Sequence, residues 1–449
     1  MKNQNIKYWI GTLLFALCFG LLYRHSTNNS SLNALNFLLI MLLAWSFYSY
    51  AVFSKINFSI KQLIIAALSF RLIAILTDPL MEDDYFRYLW NGFQFVEFGQ
   101  LRTLPPMDFF SHEVPENMSL ILSGVNNPHL PSIYSPLTEY IFALSYLIAP
   151  GKLFVIKLIY LLIEVLTILG VYKLFSSKEL LLILWNPLII FETYVNAHPD
   201  ITAMCFLILA WSAFKQQNFL LLGVFIGLGF SSRFFLLLCL PLVLVSLRSL
   251  SGFLLSTSIV YTPFLVLEKS FGSLGTFINE WEFNSFVFGI LRSITTYSTA
   301  KWICALLLLI FTLLFWLKFF SQRAKMQGED SNALNLDILF LGLFLLSAVF
   351  NPWYCIAFIP FIIINQRNFL LFIPLALSLS YIHGLNMPSA AMKAYEIPIG
   401  IQLAEYIIIT LCLLVTFKDK ITFLRKISLN KLNTHVDKSF KNIPQKENQ

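Results

Sequence analysis

Two adjacent carboxylates head a run dense in rings, charge and amide: Asp83-Asp84-Tyr85-Phe86-Arg87-Tyr88-Leu89-Trp90-Asn91-Gly92. A carboxylate at a membrane–water boundary can take the proton of an acceptor hydroxyl. The same pair at a helix start can instead cap free N–H groups and suit the helix dipole. One member could cap while the other faces a ligand. Arg233 stands near the end of an apolar stretch, where a charge is costly and marks function unless it snorkels to the interface. Asn196, His198 and Asp200 cluster around Pro199, which opens the next helix; a plain polar turn has the same composition. His129 and Tyr134 lie in a proline-stiffened run, Asn126-Asn127-Pro128-His129-Leu130-Pro131-Ser132-Ile133-Tyr134-Ser135-Pro136. Trp281, Asn284, Trp353 and Tyr354 complete the set, as sugar-facing aromatic walls or as rings of an interfacial belt.

These residues need elements to hold them. From Asp84 to Val96 the apolar positions Phe86, Leu89, Trp90, Phe93 and Val96 recur at helical spacing. Asp84, Arg87, Tyr88 and Asn91 share the opposite face. The pattern predicts a short helix on the membrane surface, apolar side down and polar side to water. It sits in the one long loop, 79–135, between hydrophobic stretches.

The rest of the chain is membrane-like. Apolar residues make up 57% and charged ones 12%, about half the charge of a soluble domain. A crossing helix takes about 20 mostly apolar residues. Candidate spans run at about 8–24, 33–53, 59–77, 152–173, 178–194, 199–214, 218–235, 236–247, 251–267, 299–318, 334–350, 353–364, 369–385 and 397–416. The expected fold is an all-α polytopic membrane protein of about 12–14 helices. Residues 1–417 form its transmembrane domain, and 418–449 a basic, disordered cytoplasmic tail with eight Lys or Arg against three Asp or Glu. No small-residue cleavage site follows the first apolar stretch, which reads as an uncleaved helix. The six cysteines lie singly in apolar segments and read as filler. Positive charge in the short loops puts both termini inside and 79–135 outside, together with the other motif-bearing stretches, if the short apolar segment 136–149 does not cross; if it crosses, the Lys318 cluster and the basic tail fall outside.

The Asp83–Gly92 run resembles the first-loop motif of bacterial membrane mannosyltransferases of the GT-C superfamily, whose donor is a polyprenyl-phosphate sugar. The resemblance continues through His129–Leu137, Trp185-Asn186-Pro187-Leu188, Asn196-Ala197-His198-Pro199-Asp200, Trp281–Ser285 and Asn351-Pro352-Trp353-Tyr354. Asn91 stands where relatives carry an acidic residue, and Arg233 where they commonly carry lysine, so sugar and acceptor stay open. The resemblance implies a GT-C-like bundle in a bacterial cytoplasmic membrane, its catalytic face external. It implies transfer of mannose or another hexose to a glycan or glycolipid hydroxyl, with Asp83 or Asp84 as base. The donor phosphate would fall to Arg233, Arg87 and His198. Arg87 could equally pair with the acidic residues a helical turn away. Sugar and acceptor would meet His129, Tyr134, Asn196, Asp200, Trp281, Asn284, Trp353 and Tyr354.

No cofactor is expected. Adjacent Asp83 and Asp84 would allow a divalent metal, but no ligand spacing demands one. Partners are the donor lipid, the acceptor and membrane lipid. Nucleic acid is not among them, since no aromatic residues interleave the basic tail in a folded pattern. A transporter or flippase of lipid-linked sugars is the alternative, but it calls for internal repeats and mid-membrane polar groups. A scaffold would not need Asp83, Asp84 and Arg233 together. Topology is testable with cysteines placed at Ser111 and Gln449 and an impermeant thiol reagent on intact cells. Labelling is expected at 111 alone; labelling at 449 alone would overturn the orientation.

Overall fold

The computed structural model describes residues 2–27, 34–99, 103–267, 273–325, 334–383 and 395–418. Regular structure among them is helical, apart from one isolated bridge between Phe283 and Val349. Among the described residues, six helices are long and apolar enough to cross a bilayer unaided: Gln4–Ser26, Leu35–Phe53, Leu153–Leu174, Leu247–Val266, Tyr297–Gln322 and Ile399–Lys418. Many of their large apolar side chains, such as Leu13, Leu166, Ile259 and Leu317, are exposed. Lipid can solvate such faces where water cannot. The chain is an all-α polytopic membrane protein.

The other expected spans are shorter or broken. Residues 178–194 stop at Asn186, whose side chain accepts the N–H groups of Leu188 and Ile189 at 3.0 and 3.2 Å. A π-helical turn, Phe191–Val195, follows. Residues 353–364 and 369–385 fall into short pieces with Pro352, Pro360 and Pro374 in their first turns. Residues 236–247 begin as the tight turn Phe234–Cys239 and the single turn Leu240–Val243, instead of one crossing helix. Proline cannot donate to the preceding turn, so it starts helices and interrupts them. The expected tail beyond Lys418 lies outside the described residues.

Polar anchors fix the bundle around the loop. Arg71, on helix Ile60–Ile75, meets Glu164 on helix Leu153–Val171 through two parallel bonds of 2.6 and 2.7 Å. Tyr194 of the π-helical turn donates to the same carboxylate. Arg71 also donates to the Leu184 carbonyl at 2.8 Å. One buried guanidinium thus ties three segments together. Lys157 donates to the Thr77 carbonyl at 2.6 Å, just where the long loop begins.

The loop helix forms at Asp84–Phe98, as its periodicity predicts. Its expected exposure is corrected: Arg87, Tyr88 and Asn91 are buried with Leu89, Trp90 and Phe93. The polar face is covered by protein because it has partners there. Asn91 donates to Ser132 at 3.0 Å and to Glu139 at 3.1 Å. Ser132 donates to the same Glu139 oxygen. Gly92 lets the helix lie against the backbone of Phe142, and a Cβ there would collide with the Phe142 carbonyl.

Breaking one side of the Arg71–Glu164 pair should leave a buried charge without its partner, at a cost of about 3–5 kcal/mol. Glu164→Leu alone is therefore expected to lower the melting temperature in detergent sharply. Arg71→Met with Glu164→Leu is expected to recover much of the loss. Equal melting of the single variant and wild type would show that the pair anchors nothing.

Candidate functional site

The sequence-distant stretches converge on one cavity of about 810 Å³, counting its open mouth. Asp84 enters from the first turn of the loop helix, His198 from the turn after Val195, and Arg233 from the end of helix Phe219–Ser232. Trp281, Trp353 and Tyr354 complete the wall. The isolated bridge explains how they meet. The Phe283 N–H donates to the Ala348 carbonyl at 2.9 Å, and the Phe350 N–H to the Phe283 carbonyl at 3.0 Å. Those two bonds dock the 281–285 stretch beside the segment leading into Asn351.

At the acidic end, the amide of Asn126 donates to Asp83 Oδ1 at 2.9 Å and to Asp84 Oδ1 at 2.6 Å. One side chain from the far end of the loop therefore holds both carboxylates. Asp83 occupies the cap position but makes no side-chain cap bond, so the capping role open to either member does not fall to it. Glu82 replaces it, accepting the Asp84 N–H at 3.2 Å. Glu82 is fully buried, and burial among Asp84, Glu192 and Asp83 pushes its carboxyl well above the ordinary range.

His198 is held from two sides. Its Nδ1 lies 2.9 Å from Glu192 Oε2, and that oxygen also accepts from Asn196 at 3.2 Å. Tyr381 donates to the other Glu192 oxygen. Trp353 stacks on the imidazole with ring centres 3.8 Å apart and planes 13° from parallel. His198 Nε2 has no hydrogen-bond partner among the described residues; it faces Glu82 Oε2 at 3.7 Å and Asp84 Oδ2 at 4.0 Å. Glu82, Asp84 and His198 can each offer one atom to a common ion.

Arg233, itself partly exposed, forms an ion pair with the buried Asp200. Its Nε has no hydrogen-bond partner among the described residues. The side chain lies 5.8 Å from the Tyr134 ring centre. It also borders a second, apolar groove of about 1120 Å³, counting its open side, walled by Phe234, Phe235, Leu238, Leu343 and Phe344. Ile133, Tyr134, Arg233 and Tyr354 line both spaces, so Arg233 stands at the boundary between them.

Arg87 does something neither expected role included. It donates to the carbonyls of Leu130 at 2.9 Å, Asn126 at 2.6 Å and Asn127 at 2.9 Å. It staples the proline-stiffened segment to the loop helix while also lining the cavity. His129 is exposed and is not on the cavity wall. Asn196, Asp200 and Asn284 are buried behind that wall, the first accepting the Leu80 N–H at 3.1 Å. Glu82, Asn126, Glu139, Glu192 and Tyr381 carried no assignment from sequence. A lone acid in the apolar run around Glu192 was the legible signal. Asn126 had none, because its role comes only from chain folding back across the loop.

If Arg87 staples residues 126–130, Arg87→Leu should free three carbonyls there. Hydrogen exchange in that segment is expected to quicken at least about tenfold, a shift of about 1.4 kcal/mol in opening. Unchanged exchange would deny the staple.

Comparison with protein-family models, with curated proteins and with solved structures finds no match to this chain.

Proposed function

We propose that the protein is a glycosyltransferase of GT-C-like architecture that moves a hexose from a polyprenyl-phosphate donor to an acceptor hydroxyl. The observation that carries this reading is the position of Arg233, between an apolar groove and an aromatic-walled cavity that also holds Asp84 and His198. A lipid-phosphate sugar has the same three-part order: hydrocarbon, phosphate, sugar. The prenyl chain would lie along the groove past Phe234 and Leu238. The phosphate would sit at Arg233, whose guanidinium is held from one side by Asp200 and borders both spaces. The sugar would face Trp281, Trp353 and Tyr354, and mannose is the sugar that the resemblance implies.

In the transfer step the acceptor O–H gives its proton to a carboxylate of the Asp83–Asp84 pair. The acceptor oxygen bonds to the anomeric carbon as the carbon–oxygen bond to phosphate breaks. The electron pair leaves with the polyprenyl phosphate, and its charge develops beside Arg233. Asn126 holds both carboxylates in place before the acceptor arrives, which lowers the cost of orienting the base. The acceptor side opens to the loop side of the membrane, and by the charge pattern that side is external.

The reading is tested with membranes carrying the protein and labelled polyprenyl-phosphate sugars. Label is expected to move onto an acceptor. Asp84→Asn should lower turnover at least about 10²-fold. Arg233→Leu should depress it strongly, while Arg233→Lys keeps part, since charge survives and the planar fork is lost. Full turnover in the Asp83→Asn, Asp84→Asn double variant would remove the loop carboxylates from the chemistry. Label that crosses the bilayer without changing carrier would mark a transporter instead.

A further inference from the structure

We propose that Glu82, Asp84 and His198 form a binding site for one divalent transition-metal cation, Zn²⁺ or Mn²⁺. Three ligand atoms, one from each residue, lie within 4.8 Å of one another. Two protein ligands each about 2.1 Å from one ion stand about 3–4.2 Å apart, depending on the angle between them. The separations from His198 Nε2, 3.7 Å to Glu82 and 4.0 Å to Asp84, fall in that range and are too long for hydrogen bonds.

The histidine supplies independent evidence. It is 1% exposed, and its Nε2 has no hydrogen-bond partner among the described residues. A buried nitrogen left in that state costs free energy unless a ligand takes it. Its other nitrogen lies 2.9 Å from Glu192. The tautomer that fits a metal site carries its proton on Nδ1, donated to Glu192, and aims Nε2 at the two carboxylates. A carboxylate behind the outer nitrogen of a metal-ligating histidine is the usual way such rings are oriented. Tyr381 and Asn196 hold Glu192 in turn, and Trp353 fixes the plane of the ring.

Charge points the same way. Glu82 is buried beside Asp83, Asp84 and Glu192. Arg87 hydrogen-bonds backbone carbonyls and Arg233 pairs with Asp200. Crowding buried and partly buried carboxylates is costly, and a divalent ion between them would offset it. The mixed nitrogen and oxygen set suits Zn²⁺ or Mn²⁺ better than Ca²⁺ or Mg²⁺, which favour oxygen alone. Three protein ligands would leave a position open toward the cavity that Asp84 lines.

This site does not depend on the transfer reading. If both hold, the ion occupies Asp84 Oδ2, and proton removal falls to Asp83, its neighbour on Asn126.

The full chain, purified in detergent and stripped with a chelator, is dialysed against ZnCl₂ or MnCl₂, gel-filtered and assayed for metal by mass spectrometry. One retained equivalent of at least one of the two ions is expected. Glu82→Gln, Asp84→Asn and His198→Gln should lose that equivalent, and Asp83→Asn should keep it. Glu192→Gln leaves all three ligands in place and should weaken affinity by about 10–100-fold. Melting curves of the stripped variants identify any that fail to fold. In a folded Glu82→Gln, added metal should no longer raise the melting temperature as it does in wild type. A wild-type chain that retains neither ion overturns the proposal whatever the variants do. So does equal retention by wild type and the folded ligand variants. Metal content is read without sugar, so a chain that binds the ion and transfers nothing keeps this site and loses the transferase reading.

Discussion

The Arg71–Glu164 pair is the constraint on which the site depends. It is buried, and its two parallel bonds leave little angular freedom between the helices that carry it. Helix Ile60–Ile75 delivers the chain to the acidic head of the loop. The π-helical turn held through Tyr194 delivers it to His198. Both arms of the acidic cluster therefore start from one fixed point. A bare apolar interface would permit sliding, because lipid solvates apolar faces about as well as another helix does. A buried fork does not slide without leaving charges unmatched. Lys157 reinforces the same end by holding the Thr77 carbonyl.

From that base the loop is closed by a few polar bonds. Arg87 grips three carbonyls of residues 126–130, and Asn126 reaches back to Asp83 and Asp84. Glu139, Ser132 and Asn91 form a second clasp below. These contacts convert a long loop into a packed wall. They also explain why so much of the site's polarity is invisible from the cavity: its purpose is to hold backbone. In the transferase reading, side chains held this way meet the donor already oriented, and the groove beside Arg233 lets hydrocarbon approach without wetting the phosphate.

Much of this was legible in the chain. Apolar runs and scarce charge indicate a helical membrane protein, and the period of Asp84 to Val96 indicates the loop helix. Asp84, His198, Arg233, Tyr134, Trp281, Trp353 and Tyr354 do come together around one cavity. What could not be read is which face of the loop helix meets protein, since periodicity gives two faces and not their neighbours. Adjacent Asp83 and Asp84 leave the capping member open in sequence, and the Asp84 N–H is taken by neither of them but by Glu82. Sequence offers Arg87 charged partners, whereas the carbonyls of Asn126, Asn127 and Leu130 accept its hydrogen bonds. Spans that hydropathy marks as continuous are interrupted where Asn186 and the prolines end the helical hydrogen bonding.

The measurement closest to the central claim is a cryo-electron microscopy structure of the chain with a polyprenyl-phosphate sugar bound. The account expects phosphate density within hydrogen-bonding reach of Arg233, the hydrocarbon following the groove past Phe234 and Leu238, and the sugar between Asp84 and Trp353. Lipid density confined to the outer surface of the bundle, with the Arg233 groove bare at saturating donor, would contradict it.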